Sequence, residues 1–235
     1  MEIGNHGSAT AATAAMDGFE VIVPEHPLIR HWVSVLRDQD TPSHAFRSAM
    51  GELGRLLVYE ATRDWLPTVV REIQSLMGSA VVESVNHLEP IMIVPILRAG
   101  LALAELATSV LPSTRTFHLG MARDERTLQP SVYLNNFLEC RLPDRFPKGC
   151  HILLMDPMLA TGGTVAAAID LLNDHGAEIG QIRIISAVAA PLALKKLHKK
   201  FPGICVYAGA MDQTVNEKGF IVPGLGDAGD RSYGT

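Results

Sequence analysis

From residue 43 onward, apolar positions recur at helical spacing: Phe46, Met50, Leu53 and Leu57, with Leu56 alongside. Residues 43–57 therefore read as an amphipathic helix with Ser43 as its cap. A second helix is expected over 66–77, opened near Pro67 and closed by Gly78. The rhythm then changes. Short, almost wholly apolar runs at 91–95, 116–120, 151–155, 182–188 and 204–208 are separated by loops. Between most of them lie helical stretches at 99–111, 165–175 (closed by Gly176) and 192–201. Strands without a polar face belong to a sheet covered on both sides, so the pattern predicts an α/β fold. Its centre is a mainly parallel five-stranded sheet flanked by helices.

Two segments break the alternation. Residues 121–149 are long, partly polar, rich in Arg and Pro, and without helical period. A loop of that length is functional or builds its own hairpin. Residues 209–235 are Gly-rich and are expected to end the chain without another helix. The opening stretch is rich in Ala, Thr, Gly and Ser, so residues 1–20 read as a disordered lead and 21–235 as one domain.

Composition narrows the chemistry. The chain has 235 residues, 47% of them hydrophobic, enough to fill a core. With 20 Lys+Arg against 25 Asp+Glu the net charge is −5, which excludes the broad basic face of a general nucleic-acid binder. Positive partners for a polyanionic substrate must then be few and local. Cys140, Cys150 and Cys205 are an odd set without CxxC spacing and read as reduced thiols. No apolar run reaches ~18 residues, so no membrane span is expected. The first 18 residues contain no Arg or Lys, unlike a secretory or organelle signal. A soluble cytoplasmic protein is expected, or one of the plastid stroma if a transit peptide has been removed.

Ligands of open α/β sheets bind beyond the carboxyl ends of the strands. One such end reads Asp156-Pro157-Met158-Leu159-Ala160-Thr161-Gly162-Gly163-Thr164. Gly162 and Gly163 let backbone N–H groups turn toward an oxyanion, Thr161 and Thr164 add hydroxyl donors, and the following helix adds its dipole. That cradle suits a phosphate monoester, and Asp156 is placed to accept from ribose hydroxyls. It is not a Walker A loop, because no Gly-Lys-Ser/Thr follows. A second strand runs into Arg98, and a third is followed by Arg123-Asp124-Glu125-Arg126-Thr127. Arg is suited to bidentate contact with pyrophosphate oxygens. Both fall on the same rim as the Thr-Gly loop.

The segment 156–164 resembles the phosphoribosyl diphosphate (PRPP) loop of type I phosphoribosyltransferases. Together with Val94-Pro95-Ile96-Leu97-Arg98-Ala99-Gly100, Arg123-Asp124-Glu125 and Ile221-Val222-Pro223-Gly224-Leu225-Gly226-Asp227-Ala228-Gly229-Asp230-Arg231, it resembles the uracil phosphoribosyltransferase family. The likeness runs from about Pro24 to the C-terminus, and the stretch 58–70 looks most like the plant and cyanobacterial branch. The resemblance implies the type I fold, with a C-terminal hood closing the base pocket. It implies that uracil and PRPP give UMP and pyrophosphate. It assigns Arg98 and Arg123 to the diphosphate and 156–164 to ribose and 5′-phosphate. Ile221, Gly226 and Ala228 fall to uracil, Asp227 to both uracil and PRPP, and Arg123 and Asp227 to catalysis. Mg²⁺ is implied, held mainly through PRPP oxygens rather than by a protein cage. A homodimer or homotetramer is implied too, with GTP a candidate activator. Three features vary within that pattern. Pro157 stands where many type I enzymes have a second acid, as in the uracil branch; Ala122 replaces a common aromatic; and 63–87 differs from the better-known bacterial form.

Other motifs weigh less. Gly224-Leu225-Gly226-Asp227-Ala228-Gly229 matches GxGxxG but has no following helix and acid of the dinucleotide pattern. The run Lys195-Lys196-Leu197-His198-Lys199-Lys200 reads as a solvated helix face. It also keeps open a different class, a phosphoribosyltransferase-fold regulator that binds nucleotide and RNA. His26 and His31 lack metal spacing, and Trp32 and Trp65 read as packing residues.

Overall fold

A computed structural model describes residues 12–16, 19–111, 113–123, 130–139 and 146–235. Cys140, Asp124, Glu125, Arg126 and Thr127 lie outside the described residues, as does most of the expected lead. Within and beside that lead, β1 (Ala12–Met16) and β2 (Phe19–Val23) pair as antiparallel strands. Helix α1 (Pro27–Arg37) opens with Pro27, whose missing N–H costs nothing there, and the His26 ring accepts from Leu28 N–H at 3.1 Å. Helix α2 (Ser43–Ala61) buries Phe46, Met50, Leu53 and Leu57 as the spacing predicts. Its cap position is Pro42, without a side-chain bond, so Ser43 opens the helix rather than capping it.

The expected helix over 66–77 is instead a hairpin: β3 (Thr68–Ser75) and β4 (Gly78–Val85) pair along their whole length. Val69, Val70, Ile73 and Met77 imitate a helical stripe, but the stripe has no core to enter, and every residue of β3 is exposed. Branched side chains favour extended backbone, and a partner strand directly follows. Local pairing wins.

The rest follows the alternation: β5 (Ile91–Leu97), α3 (Ala99–Ala104), α4 (Ala107–Val110), β6 (Thr114–Thr116) and β7 (Leu119–Arg123). Then come β8 (Pro130–Asn135), α5 (Asn136–Glu139), β9 (His151–Met155), β10 (Met158–Leu159) and α6 (Gly163–Asp174). After a 3-10 turn, β11 (Ile182–Ala189), α7 (Pro191–Lys200) and β12 (Cys205–Met211) complete the core. The short pair β13 (Thr214–Val215) and β14 (Ile221–Val222) leads to α8 (Ala228–Tyr233), a terminal helix where none was expected. The interrupting segment supplies its own hairpin, β7 against β8.

The five predicted strands form one parallel block, β12-β11-β9-β5 with β6 and β7 both beside β5. Strand β2 extends it in parallel beyond β12, and β1 and β8 close the two edges antiparallel. Alternation along each strand feeds two cores. Ile152 and Leu154 of β9 join Val165, Ile169 and Leu172 of α6 on one face. Leu153 and Met155 join Phe46, Leu53 and Leu57 of α2 on the other. Both faces are dry, which is why the strands read as unbroken apolar runs. Cys150 and Cys205 are buried, and burial pushes the Cys150 thiol up to about 11. Trp65 packs under the Arg183 guanidinium, 4.8 Å from ring centre to Cζ, as a packing residue should.

Candidate active site

A cleft of about 910 Å³ opens where β5, β7 and β9 end, roofed by the β13–β14 turn and the start of α8. Each wall has a local cause. At the end of β5 the Leu97–Arg98 peptide is cis, and Arg98 occupies the cap position of α3. Its guanidinium reaches Asp230 Oδ1 at 2.7 Å and Thr235 Oγ1 at 3.1 Å, and its side chain is 54% exposed at the mouth. Gly100 lets α3 approach β9: a Cβ there would stand 2.4 Å from the Met155 carbonyl oxygen. A larger residue would lever Arg98 away from the β9 loop.

That loop begins at Asp156, half-buried, whose backbone N–H donates to Ile185 O at 3.1 Å. Asp156 Oδ1 accepts from Met158 N–H at 3.4 Å. The Pro157 carbonyl takes the N–H groups of Ala187 and Val188, and Met158 and Leu159 pair with β11 as β10. The loop is thus stitched to the sheet before it turns. Gly162 makes the turn at φ 71°, with Ala193 of α7 only 3.1 Å from where its Cβ would be. No L side chain fits that position without strain. Helix α6 starts at Gly163, and the N–H groups of a helix's first turn have no acceptor within the helix. They face a ligand, if one comes, with the positive end of the dipole.

Strand β7 brings Ala122 to the cleft and ends on Arg123, whose backbone stands opposite Pro130 in the hairpin. The Arg123 side chain is outside the described residues; its position in the chain sets it next to the rim residue Ala122.

The last wall is anchored from afar. Asp212, just past β12, has a side chain only 6% exposed and receives two hydrogen bonds from Arg37 and one from Gly224 N–H at 2.9 Å. Burial alone would raise its carboxyl, but the Arg37 and Gly224 bonds outweigh it and hold it below the usual aspartate range. Arg231 donates to the carbonyls of Leu36 and Leu225, at 2.5 and 2.8 Å, from the other side. Between these clamps Ile221 is buried, and Gly226, Asp227 and Ala228 border the cleft. Asp227 Oδ1 caps α8, accepting from Gly229 N–H at 2.8 Å and Asp230 N–H at 2.9 Å.

The sequence-predicted residues therefore divide by position. Arg98, Asp156, Met158, Ala160, Thr164, Ile221, Gly226, Asp227 and Ala228 line one cleft. Thr161, Gly162 and Gly163 form the turn between two of its lining residues. Leu159 sits in the apolar core and Pro157 is buried beneath the loop, so both support it from below. Sequence reasoning missed Tyr133 of β8 and 217–220 of the roof, which also line the cleft. The α8 cap was legible in principle, since an Asp before Ala-Gly-Asp is a helix-start pattern.

Among the described residues no group of three or more His, Cys, Asp or Glu is arranged to hold a metal ion. No helix among them is long and apolar enough to cross a membrane.

Residues 23–235 match the family model described as uracil phosphoribosyltransferase. The chain is 63% identical over 227 residues to the uracil phosphoribosyltransferase of Nicotiana tabacum, covering 96% of this chain and 99% of that one. Its identity to the chloroplastic uracil phosphoribosyltransferase of Arabidopsis thaliana is 60%, over 96% and 75% of the two chains. A solved Aquifex aeolicus structure superposes with a TM-score of 0.81 at 39% identity, covering 91% of this chain and 97% of that one. The resemblance read from four separated motifs thus extends across the whole described domain, and the chain belongs to the uracil phosphoribosyltransferase family.

Proposed function

We propose that the chain joins uracil to PRPP in this cleft, giving UMP and pyrophosphate. One observation carries the reading: Arg98, the 156–164 loop and the 221–228 segment, from three distant parts of the sequence, meet around one cavity. Arg98 and Arg123 bind the diphosphate. The 161–164 turn and the first N–H groups of α6 hold the 5′-phosphate, and Asp156 accepts from the ribose hydroxyls. Backbone groups from Ile221 to Ala228 read the uracil edge. Asp227 would have a double duty: its Oδ1 caps α8, and its place on the cleft wall supports a contact with PRPP.

In the reaction the bond from the anomeric carbon to pyrophosphate breaks as the bond to uracil N1 forms, and the N1 proton passes to the departing pyrophosphate or to solvent. Holding the reactants in line and stabilising charge on the departing group are the protein's tasks. Arg98 and Arg123 do the second. The donor set also fits Mg²⁺: Asp156, a cleft-lining carboxylate, would offer a hard oxygen, and the substrate would supply most of the other ligands. When bound, that ion neutralises part of the pyrophosphate charge.

Self-association is part of the proposal. The β3–β4 hairpin exposes Val70, Leu76, Met77 and Val81 at 66–103% of full accessibility, an apolar projection that a second copy of the chain would cover. Light scattering on the intact chain and on a Val70→Glu, Val81→Glu variant tests this; a variant with unchanged mass would remove the hairpin from the interface. The activity itself is tested by UMP formation from PRPP, Mg²⁺ and each pyrimidine base in turn. Absence of UMP with uracil would overturn the reading.

A further inference from the structure

The basic run of α7 is not one surface. Lys200 Nζ pairs with Asp170 of α6, and Lys195, Lys196 and Lys199 are all exposed, so exposure does not tell them apart. Lys196 is placed differently. A side chain added to Gly163 would come within 3.6 Å of Lys196 Nζ and 3.7 Å of Thr161 Oγ1, so ammonium and hydroxyl border the same space above the turn. The cause lies one helical turn earlier. Ala193 is the residue packed against Gly162, and positions three apart share a helix face, so seating Ala193 under the loop aims Lys196 across it. Gly163, with no side chain, leaves the approach open.

Charge gives this placement a use. A 5′-phosphate monoester is close to a dianion at neutral pH, and the turn itself offers it only neutral donors: two hydroxyls, backbone N–H groups and a helix dipole. Arg98 stands at the mouth beside α8, paired with Asp230. Among the described residues Lys196 makes no ion pair. We infer that Lys196 supplies the countercharge for the 5′-phosphate, reaching across from α7 to its non-bridging oxygens. This rests on the function proposed above and adds a binding residue that the loop motif does not contain.

The test separates phosphate recognition from everything else in the cleft. Affinities for UMP and for uridine are measured by calorimetry on the intact chain, with Lys196→Met, Lys196→Arg and Lys199→Met beside wild type. Lys196→Met should bind UMP about tenfold more weakly, the scale of one charge-assisted contact, with uridine affinity unchanged. Its KM for PRPP should rise by a similar factor while KM for uracil stays. Lys196→Arg should recover most of the loss, and Lys199→Met should match wild type. Equal UMP binding by Lys196→Met and wild type would overturn the inference, as would a loss shared equally by UMP and uridine. A folded wild type that bound no UMP at all would instead bring down the proposed function, and this inference with it.

Discussion

Arg37 clasps Asp212 through both terminal guanidinium nitrogens, at 2.9 and 2.8 Å, although 175 positions separate them in the chain. The same carboxylate takes the Gly224 N–H. One buried acid therefore ties α1, the end of β12 and the turn that carries the residues proposed to bind the base.

Breaking that tie should be felt in stability and in uracil binding together. Asp212→Ala leaves the Arg37 guanidinium and the Gly224 N–H without their acceptor, at a cost of about 2–4 kcal/mol. Denaturant titration measures the loss, and KM for uracil should rise more than KM for PRPP. The pH dependence has a definite sign. The folded-state carboxyl of Asp212 is lowered, so its contribution is complete above the ordinary aspartate value, about 4, and is lost as pH falls through the lower folded value. In Asp212→Asn that part of the acid-side fall should disappear from midpoints measured as the pH is taken from about 5 downward.

Arg98 and Arg123 predict the opposite combination. The Arg98–Asp230 pair is exposed on both sides, and such pairs contribute at most about 1 kcal/mol to folding. Arg98→Ala and Arg123→Ala should fold normally yet turn over about 10²–10³ times more slowly, if the contact strengthens as pyrophosphate departs. Normal turnover by Arg123→Ala would remove it from the mechanism.

Gly162 is a sharper probe of the 161–164 turn proposed to hold the phosphate. Its φ of 71° and the 3.1 Å clearance to Ala193 both oppose a side chain. Gly162→Ala should cost about 1–3 kcal/mol and raise KM for PRPP, because the turn must open or α7 must shift. Thermal melts and initial rates on the same preparation decide it.

The base pocket should reject cytosine strongly. Uracil offers an acceptor at O4 and a donor at N3, cytosine the reverse, and an inverted pair leaves buried groups unmatched. Backbone from Ile221 to Ala228 can make that distinction without a charged side chain. Comparable kcat/KM for the two bases would end the proposal.

What was legible in advance follows from where the physics is local. The strands at β5, β9, β11 and β12 were plain because burial on both faces makes their sequence continuous and apolar. The 161–164 turn was plain because Gly162, at φ 71°, serves a backbone need that a glycine in the sequence announces. The β3–β4 hairpin was misread because Val69, Val70 and Ile73 satisfy a helical spacing as well as a strand preference, and only a missing core tells them apart. Helix α8 was missed because its six residues have little apolar pattern and are held by Asp227 and Arg231 instead. Tyr133 and Phe220 could not have been placed from sequence, since what brings them to the cleft is the packing of the β7–β8 hairpin and the β13–β14 turn.

The long reach from Arg37 to Asp212 also sets a timetable. A ribosome releases Arg37 175 residues before Asp212, so the guanidinium must wait for nearly the whole sheet before its acid emerges. The turn that this clasp steadies comes later still. A nascent chain can therefore acquire its strands and its 161–164 turn while the 212–228 segment is unfinished. Turnover should appear only after residues 212–228 have emerged and Asp212 has met Arg37.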